Sequence, residues 1–154
     1  MRHLRESNSK YNHLILFLKK KHKAVTDTTS TTVLVTIVDD DESVRDALKG
    51  FLRSAGFAAE IFSSAADLLG SNVLDRTSCL IVDVHMPVMT GLELQRRLGN
   101  SRFRIPMIFI TARDDPPTRA QAVKAGAIDF LQKPFTGDTL LGAIQAALHT
   151  RGDT

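Results

Sequence analysis

The 154-residue chain has one cysteine and no long apolar run outside its regular elements. With Cys79 alone there is no internal disulfide framework and no metal–thiolate cluster; set in an apolar run, it reads as a reduced, buried structural thiol. Leu14 to Leu18 is far short of the about 20 apolar residues that cross a bilayer. Lys19-Lys20-Lys21-His22-Lys23 follows it in place of the small residues of a signal cleavage site. No membrane partner is therefore expected. Internal repeats and low-complexity segments are also missing from the folded part. Histidines are scattered: His3, His13, His22 and His149 read as surface residues. His85 has no second His or Cys nearby, so its ring is not expected to bind a metal.

A pI near 9.2 suggests a nucleic-acid partner, but the charge is uneven. Residues 1–32 hold seven basic side chains against two acidic ones, a net +5, which leaves −2 of the chain's +3 for everything after them. The basicity belongs to the leader, so direct nucleic-acid binding by the folded part is not expected. Residues 1–32 read as a disordered basic leader ending in a Thr-rich linker, residues 33–150 as one folded domain, and 151–154 as a tail. A short basic amphipathic anchor is the alternative reading of the leader.

From Val33 onward a regular alternation begins. Val33–Val38, rich in β-branched residues, reads as a buried strand. Glu42 and Ser43 open a helix whose apolar positions Val44, Ala47, Leu48, Phe51, Leu52 and Ala55 fall on one face, with Gly56 beyond its end. Ala58–Phe62 is a second strand. Ser63 caps a short helix through Leu69, followed by an irregular stretch from Gly70 to Ser78. The run Cys79-Leu80-Ile81-Val82-Asp83 is a third strand, apolar until its last residue. Thr90 caps a helix carrying Leu92, Leu94 and Leu98, stopped at Gly99-Asn100. Pro106–Ile110 is a fourth strand. Asp115-Pro116-Pro117 starts a helix closed by Gly126; it is Ala-rich and should be the most loosely held. Ile128–Leu131 is a fifth strand, and Thr136 or Asp138 caps a last helix with Leu140, Leu141, Ile144, Ala147 and Leu148. Five strands alternating with five helices predict an α/β doubly wound parallel sheet with right-handed crossovers.

In such a sheet, chemistry sits beyond the carboxyl ends of the strands. The residues at those ends are Asp39 and Asp40, then Asp83, then Thr111, then Lys133 followed by Pro134. Three neighbouring carboxylates do not all ionise without a cation between them, and a hard divalent ion such as Mg²⁺ resolves this. Asp39-Asp40-Asp41 taken alone reads equally as solvated acids at a helix start. Carboxylates, Mg²⁺, a hydroxyl and an ammonium, with no activating His/Ser pair, describe a site for phosphoryl transfer.

Val38-Asp39-Asp40-Asp41, Asp83-Val84-His85-Met86-Pro87 with Gly91, Thr111-Ala112, Ala125-Gly126-Ala127 and Lys133-Pro134-Phe135 resemble the receiver domain of bacterial two-component response regulators. The resemblance spans residues 33–150 in one register. Phe130 and the loop from Met86 to Leu94 are most similar to the FixJ-like subgroup. It implies a five-stranded sheet in the flavodoxin-like order 2-1-3-4-5. It implies that Asp83 is the phosphoacceptor, taking a phosphoryl group from the phosphohistidine of a sensor kinase, and that Mg²⁺ is held by Asp40, Asp39, Asp83 and the His85 backbone carbonyl. Thr111 would swing onto a phosphate oxygen, Lys133 would ion-pair with the phosphate, and Lys133–Pro134 would be cis. Phe130 would rotate inward with Thr111 and change the face made by the fourth helix, fifth strand and fifth helix; on the residues alone it is plain core. Phe130 stands where the family often has Tyr, and so donates no hydrogen bond. His85 and Arg113 occupy the positions that tune dephosphorylation, and neither orients an attacking water, so slow hydrolysis is expected.

The expected function is a phosphorylation-dependent switch, not a turnover enzyme. A Mg²⁺-dependent phosphohydrolase of haloacid-dehalogenase type, with Asp39 as nucleophile and Asp41 in an Asp-x-Asp motif, is the alternative; it lacks the later acidic pair and leaves the Asp83 loop unexplained. The expected partners are a histidine kinase or phosphotransfer protein, a downstream protein target and a phosphorylation-dependent homodimer, all in the bacterial cytoplasm. No recognition-helix pattern follows His149, which predicts either a stand-alone receiver or one separated from an effector.

Overall fold

The computed structural model describes residues 32–152; the readings of residues 1–31 and 153–154 fall outside that range, and residues 151 and 152, expected in a tail, belong to the last helix. Five strands, β1 (Leu34–Val38), β2 (Ala58–Phe62), β3 (Cys79–Asp83), β4 (Met107–Thr111) and β5 (Asp129–Gln132), form one parallel sheet in the order β2-β1-β3-β4-β5. The helices are α1 (Glu42–Ser54), α2 (Ala65–Leu69), α3 (Gly91–Gly99), α4 (Pro116–Lys124) and α5 (Gly137–Gly152). This is the doubly wound fold that the alternation predicts.

Every residue of β1, β3 and β4 is buried, because helices cover both faces. Successive side chains alternate between two cores. Val35, Ile37, Ile81, Ile108 and Ile110 pack with Leu48, Phe51 and Leu52 of α1 and Leu140 and Ile144 of α5. Leu34, Val38, Leu80, Val82 and Phe109 pack with Leu68 of α2, Leu94 and Leu98 of α3 and Ala122 of α4. Thr36 faces the second core, where its hydroxyl meets that of Thr77 at 2.8 Å and Thr77 donates to the Val73 carbonyl at 2.7 Å. No polar atom is left stranded there.

Local chemistry sets the ends of the helices. Asp41 caps α1 by accepting from the Ser43 and Val44 N–H groups, and Gly56 beyond its end has φ +95°. Thr90 and Glu93 form a reciprocal capping box on α3. Asp115 caps α4, with Pro116 and Pro117 in its first turn. Thr136, not Asp138, caps α5 by accepting from the Thr139 N–H at 3.1 Å. Ser64 rather than Ser63 caps α2; Ser63 instead turns its hydroxyl to Asp67. The stretch expected to be irregular contains a 3₁₀ turn, Val73–Arg76, that buries Val73 and Leu74. Two apolar residues in sequence carry no helical period, so the pattern there is silent. α4 buries only Ala122, and Gln95 of α3 donates to the Ala122 carbonyl at 3.0 Å. α4 is the helix with the least apolar attachment, as its composition predicts.

Candidate functional site

The carboxyl ends of β1, β3, β4 and β5 bring Asp39, Asp83, Thr111 and Lys133 to one edge of the sheet. Asp39 follows β1 and is fully buried. Its N–H continues the ladder to the Phe62 carbonyl at 3.1 Å. One carboxylate oxygen accepts from the Asp41 N–H at 2.9 Å, and the other accepts from Lys133 Nζ at 2.9 Å. Asp40, next in the chain, turns outward and is exposed. Asp83 is the last residue of β3 and is 6% exposed. Oxygens of Asp39, Asp40 and Asp83 all lie within 4.8 Å of one another, the arrangement a hard cation needs.

Lys133 is divided between two acids, 2.9 Å from Asp39 and 3.9 Å from Asp83. One ammonium cannot neutralise both. The Asp83 carboxyl is accordingly pushed up to about 7, first by burial and next by the charge on Asp39; Lys133 opposes this incompletely, and a hydrogen bond with Asp40 adds to it. The site therefore lacks positive charge. A divalent cation seated among the three carboxylates would supply it, so the donor set fits Mg²⁺. Asp41 is held low by the Ser43 hydroxyl and N–H, and its side chain is engaged as the α1 cap. That engagement removes it from the Asp-x-Asp role of the phosphohydrolase alternative.

Lys133 reaches this position from a turn fixed by its own N–H, which donates to the Thr111 carbonyl at 2.7 Å, and by a cis Lys133–Pro134 peptide. The Thr111 hydroxyl is hydrogen-bonded to none of the site carboxylates. It is engaged with the loop that follows, donating to the Arg113 carbonyl at 3.1 Å and accepting from the Arg113 N–H at 3.2 Å. Phe130 lies inside, 6% exposed, its ring 6.2 Å from that of Phe109 and tilted by 34°. His85 presents its side chain to solvent, and Arg113 is exposed.

Gly91 is required by a close approach: a Cβ there would sit 2.7 Å from the Asp83 carbonyl oxygen and 3.1 Å from Val84 Cα. It lets α3 start directly against the end of β3. Its N–H closes the loop onto the Val84 carbonyl at 3.0 Å.

Two contacts went unforeseen. Arg45 of α1 donates to the Asp39 carbonyl at 2.6 Å, pinning the turn that carries the acids. An Arg one turn into a helix that opens on an acidic strand end was the available signal. Arg119 of α4 lies 5.4 Å over the Phe130 ring, a pairing that no local pattern announces.

Comparison with known proteins agrees with this geometry. Residues 35–145 match the family described as the response regulator receiver domain. The response regulator protein TodT of Pseudomonas putida is 47% identical over 115 residues, covering 75% of this chain and 51% of TodT. The transcriptional regulatory protein FixJ of Rhizobium meliloti is 42% identical over 117 residues, 76% of this chain and 57% of FixJ. The crystal structure of FixJ-N superposes with a TM-score of 0.71 at 38% identity, covering 78% of this chain and 96% of that one. The chain thus spans about half the length of the curated relatives it matches. With the family matched through all five strands and FixJ recovered both as relative and as structure, the chain belongs to the response regulator receiver domains of two-component signalling, on their FixJ-like side.

Proposed function

We propose that Asp83 accepts a phosphoryl group from the phosphohistidine of a histidine kinase or phosphotransfer protein, or from a small phosphodonor. A carboxylate oxygen of Asp83 bonds to phosphorus as the phosphorus–nitrogen bond to imidazole breaks, and the departing nitrogen keeps the electron pair and takes up a proton. Asp39, Asp40, Asp83 and the His85 backbone carbonyl would hold Mg²⁺, which supplies neutralisation of the phosphoryl oxygens. Lys133 transfers part of its attraction from Asp39 to the new phosphate. Thr111 exchanges its hydrogen bonds with Arg113 for one to a phosphate oxygen. Phe130, packed against Phe109 and under Arg119, passes that movement to the face made by α4, β5 and α5.

One observation carries this reading: three carboxylates and one ammonium from three strand ends share a site too short of positive charge to hold Asp83 ionised at ordinary carboxylate pKa. The test is labelling with phosphoramidate and with an autophosphorylated histidine kinase, with and without Mg²⁺. Asp83→Asn should abolish the stable phosphoprotein, whereas a phosphohydrolase would lose activity chiefly with Asp39→Asn.

The receiver occupies residues 33–150 in this reading, and the basic residues 1–32 and the tail 151–154 take no part in the chemistry. The α4–β5–α5 face then regulates a downstream protein target or a second copy of the chain, in the bacterial cytoplasm. Among the described residues no helix is long and apolar enough to cross a membrane. FixJ is named as a transcriptional regulator, which supports a DNA-binding effector in a longer protein as the regulated target.

A further inference from the structure

Arg45 stands where electrostatics disfavours a cation. It lies near the start of α1, at the positive end of the helix dipole. It also lies against the turn that carries Asp39 and Asp40, where the donor set fits a divalent cation. It is half-buried and makes no ion pair among the described residues. Its one side-chain bond there is the short one from Nη1 to the Asp39 carbonyl, 2.6 Å. That carbonyl belongs to the planar peptide joining Asp39 to Asp40, so the bond fixes the plane between the two acids. Asp39 is held elsewhere as well: its N–H by Phe62, its carboxylate by the Asp41 N–H and by Lys133. Asp40 is exposed and pairs with no cation among the described residues. The place of its carboxylate is therefore set by the backbone beneath it, gripped by Arg45 on one side and by the Asp41 cap on the other.

We propose that Arg45 is a positioning residue for the metal site. By holding the Asp39–Asp40 peptide it keeps the Asp40 carboxylate converged with those of Asp39 and Asp83, and so strengthens the binding of a divalent cation that its own charge repels. The proposal rests on the Mg²⁺ reading above. Charge and geometry predict opposite signs here, and this makes the two separable. Were Arg45 acting only as a charge, its removal would tighten binding, because a nearby positive charge raises the cost of seating a dication. Acting through the peptide, its removal loosens Asp40 and weakens binding.

The test titrates the full chain with Mn²⁺, following the paramagnetic resonance signal of the free ion, and then displaces it with Mg²⁺. Arg45→Met keeps the aliphatic stem and removes the donor and the charge; Arg45→Gln is too short to reach the carbonyl. Either should raise the dissociation constant of both ions by about tenfold, the loss typical when a group that orients a metal ligand is removed. Arg45→Lys keeps a charged donor and should recover most of the affinity. Lys49→Met, one turn along the same helix, removes the same charge without touching the acidic turn and should leave the affinity unchanged or slightly tighter. Urea unfolding in EDTA sets the temperature at which the variants are folded, and affinities are compared there. Unchanged or tighter binding in the Met and Gln variants would mean that Arg45 acts as a charge or not at all. Equal weakening by Lys49→Met would mean that the whole helix, and not one bond, holds the site. Either result overturns the proposal. If the unmodified chain binds neither ion, the metal reading fails first and this one with it.

Discussion

Replacing Asp83 by Asn should make the metal-free protein more stable, although it removes the proposed phosphoacceptor. Asp83 is buried, its oxygens share a 4.8 Å cluster with those of Asp39 and Asp40, and Lys133 is 1 Å closer to Asp39 than to Asp83. Its carboxyl is pushed up from 3.8 to about 7. A raised carboxyl pKa means that the folded protein holds the proton more tightly than the unfolded chain does. Stability is therefore complete below about pH 4, falls as pH rises from about 4 to about 7, and levels off above that. About three pKa units correspond to about 4 kcal/mol, and relaxation of the cluster and water entry bring the expected loss to roughly 2–4 kcal/mol. Asn keeps the shape without the charge. At pH 8 in EDTA, Asp83→Asn should gain that amount, on the order of 10 °C in Tm for a domain of this size. Urea unfolding followed by far-ultraviolet circular dichroism, in the absence of tryptophan, measures it at several pH values. Near pH 4 the advantage should vanish. Excess Mg²⁺ should stabilise the unmodified protein more than the variant, since binding to the folded state alone adds to stability. An Asn variant less stable at pH 8, or an advantage that does not shrink toward pH 4, would refute the account of the site as a store of uncompensated charge.

Three further outcomes are expected. Lys133→Met removes the only cationic partner within 4 Å that the buried Asp39 has among the described residues, and should destabilise the metal-free protein by about 2 kcal/mol, less than a fully buried pair because Lys133 is partly exposed; Mg²⁺ should recover most of the loss in a melting assay. Gly91→Ala drives a methyl to 2.7 Å from the Asp83 carbonyl, so stability should fall by about 2–3 kcal/mol in denaturant titration; a neutral result would mean that the start of α3 shifts freely. With His85 and Arg113 both exposed, and neither an acid or amide that would orient an attacking water, the acyl phosphate should hydrolyse slowly, and a half-life of seconds after removal of the donor would contradict that reading.

The strands and most caps were legible in the sequence because each rests on a local signal: apolar runs of four to six residues, Asp115 before two prolines, Thr90 three residues before Glu93. The site was legible for a different reason. Parallel strands put their last residues on one edge, so knowing where each apolar run stops is enough to bring Asp39, Asp83, Thr111 and Lys133 together. What escaped was side-chain direction. Nothing in the order of residues says that Thr111 turns to Arg113, that Arg45 reaches back to the Asp39 carbonyl, or that Arg119 lies over Phe130. These depend on rotamers chosen by packing between elements distant in the chain. The edges of β4 and β5 moved by one residue for a related reason: pairing with a neighbour, not hydrophobicity, decides where a strand starts. Met107 pairs with Leu80, and Asp129 pairs with Ile108.

On the proposed function, the arrangement of the site also gives a reason for switching. The resting site has more negative charge than Lys133 and Arg45 together offset, so bringing in a cation relieves repulsion, and a phosphate bound on Asp83 creates a new demand for Lys133 and for the Thr111 hydroxyl. Both groups have bonds to give up: Lys133 to Asp39, Thr111 to Arg113. In the proposed switch each group would exchange one polar partner for another, so a modest bias could decide between the two arrangements. The helix next to that exchange is α4, held by Ala122, by the Gln95 hydrogen bond and by Arg119 over Phe130 rather than by a broad apolar face. On the proposed function, a helix so lightly attached would move for a free energy of the size one phosphate supplies. Had α4 carried leucines inward as α3 does, the same chemistry at Asp83 would leave the surface unchanged. In the proposed switch, the weak apolar content of residues 116–124 would be part of the mechanism.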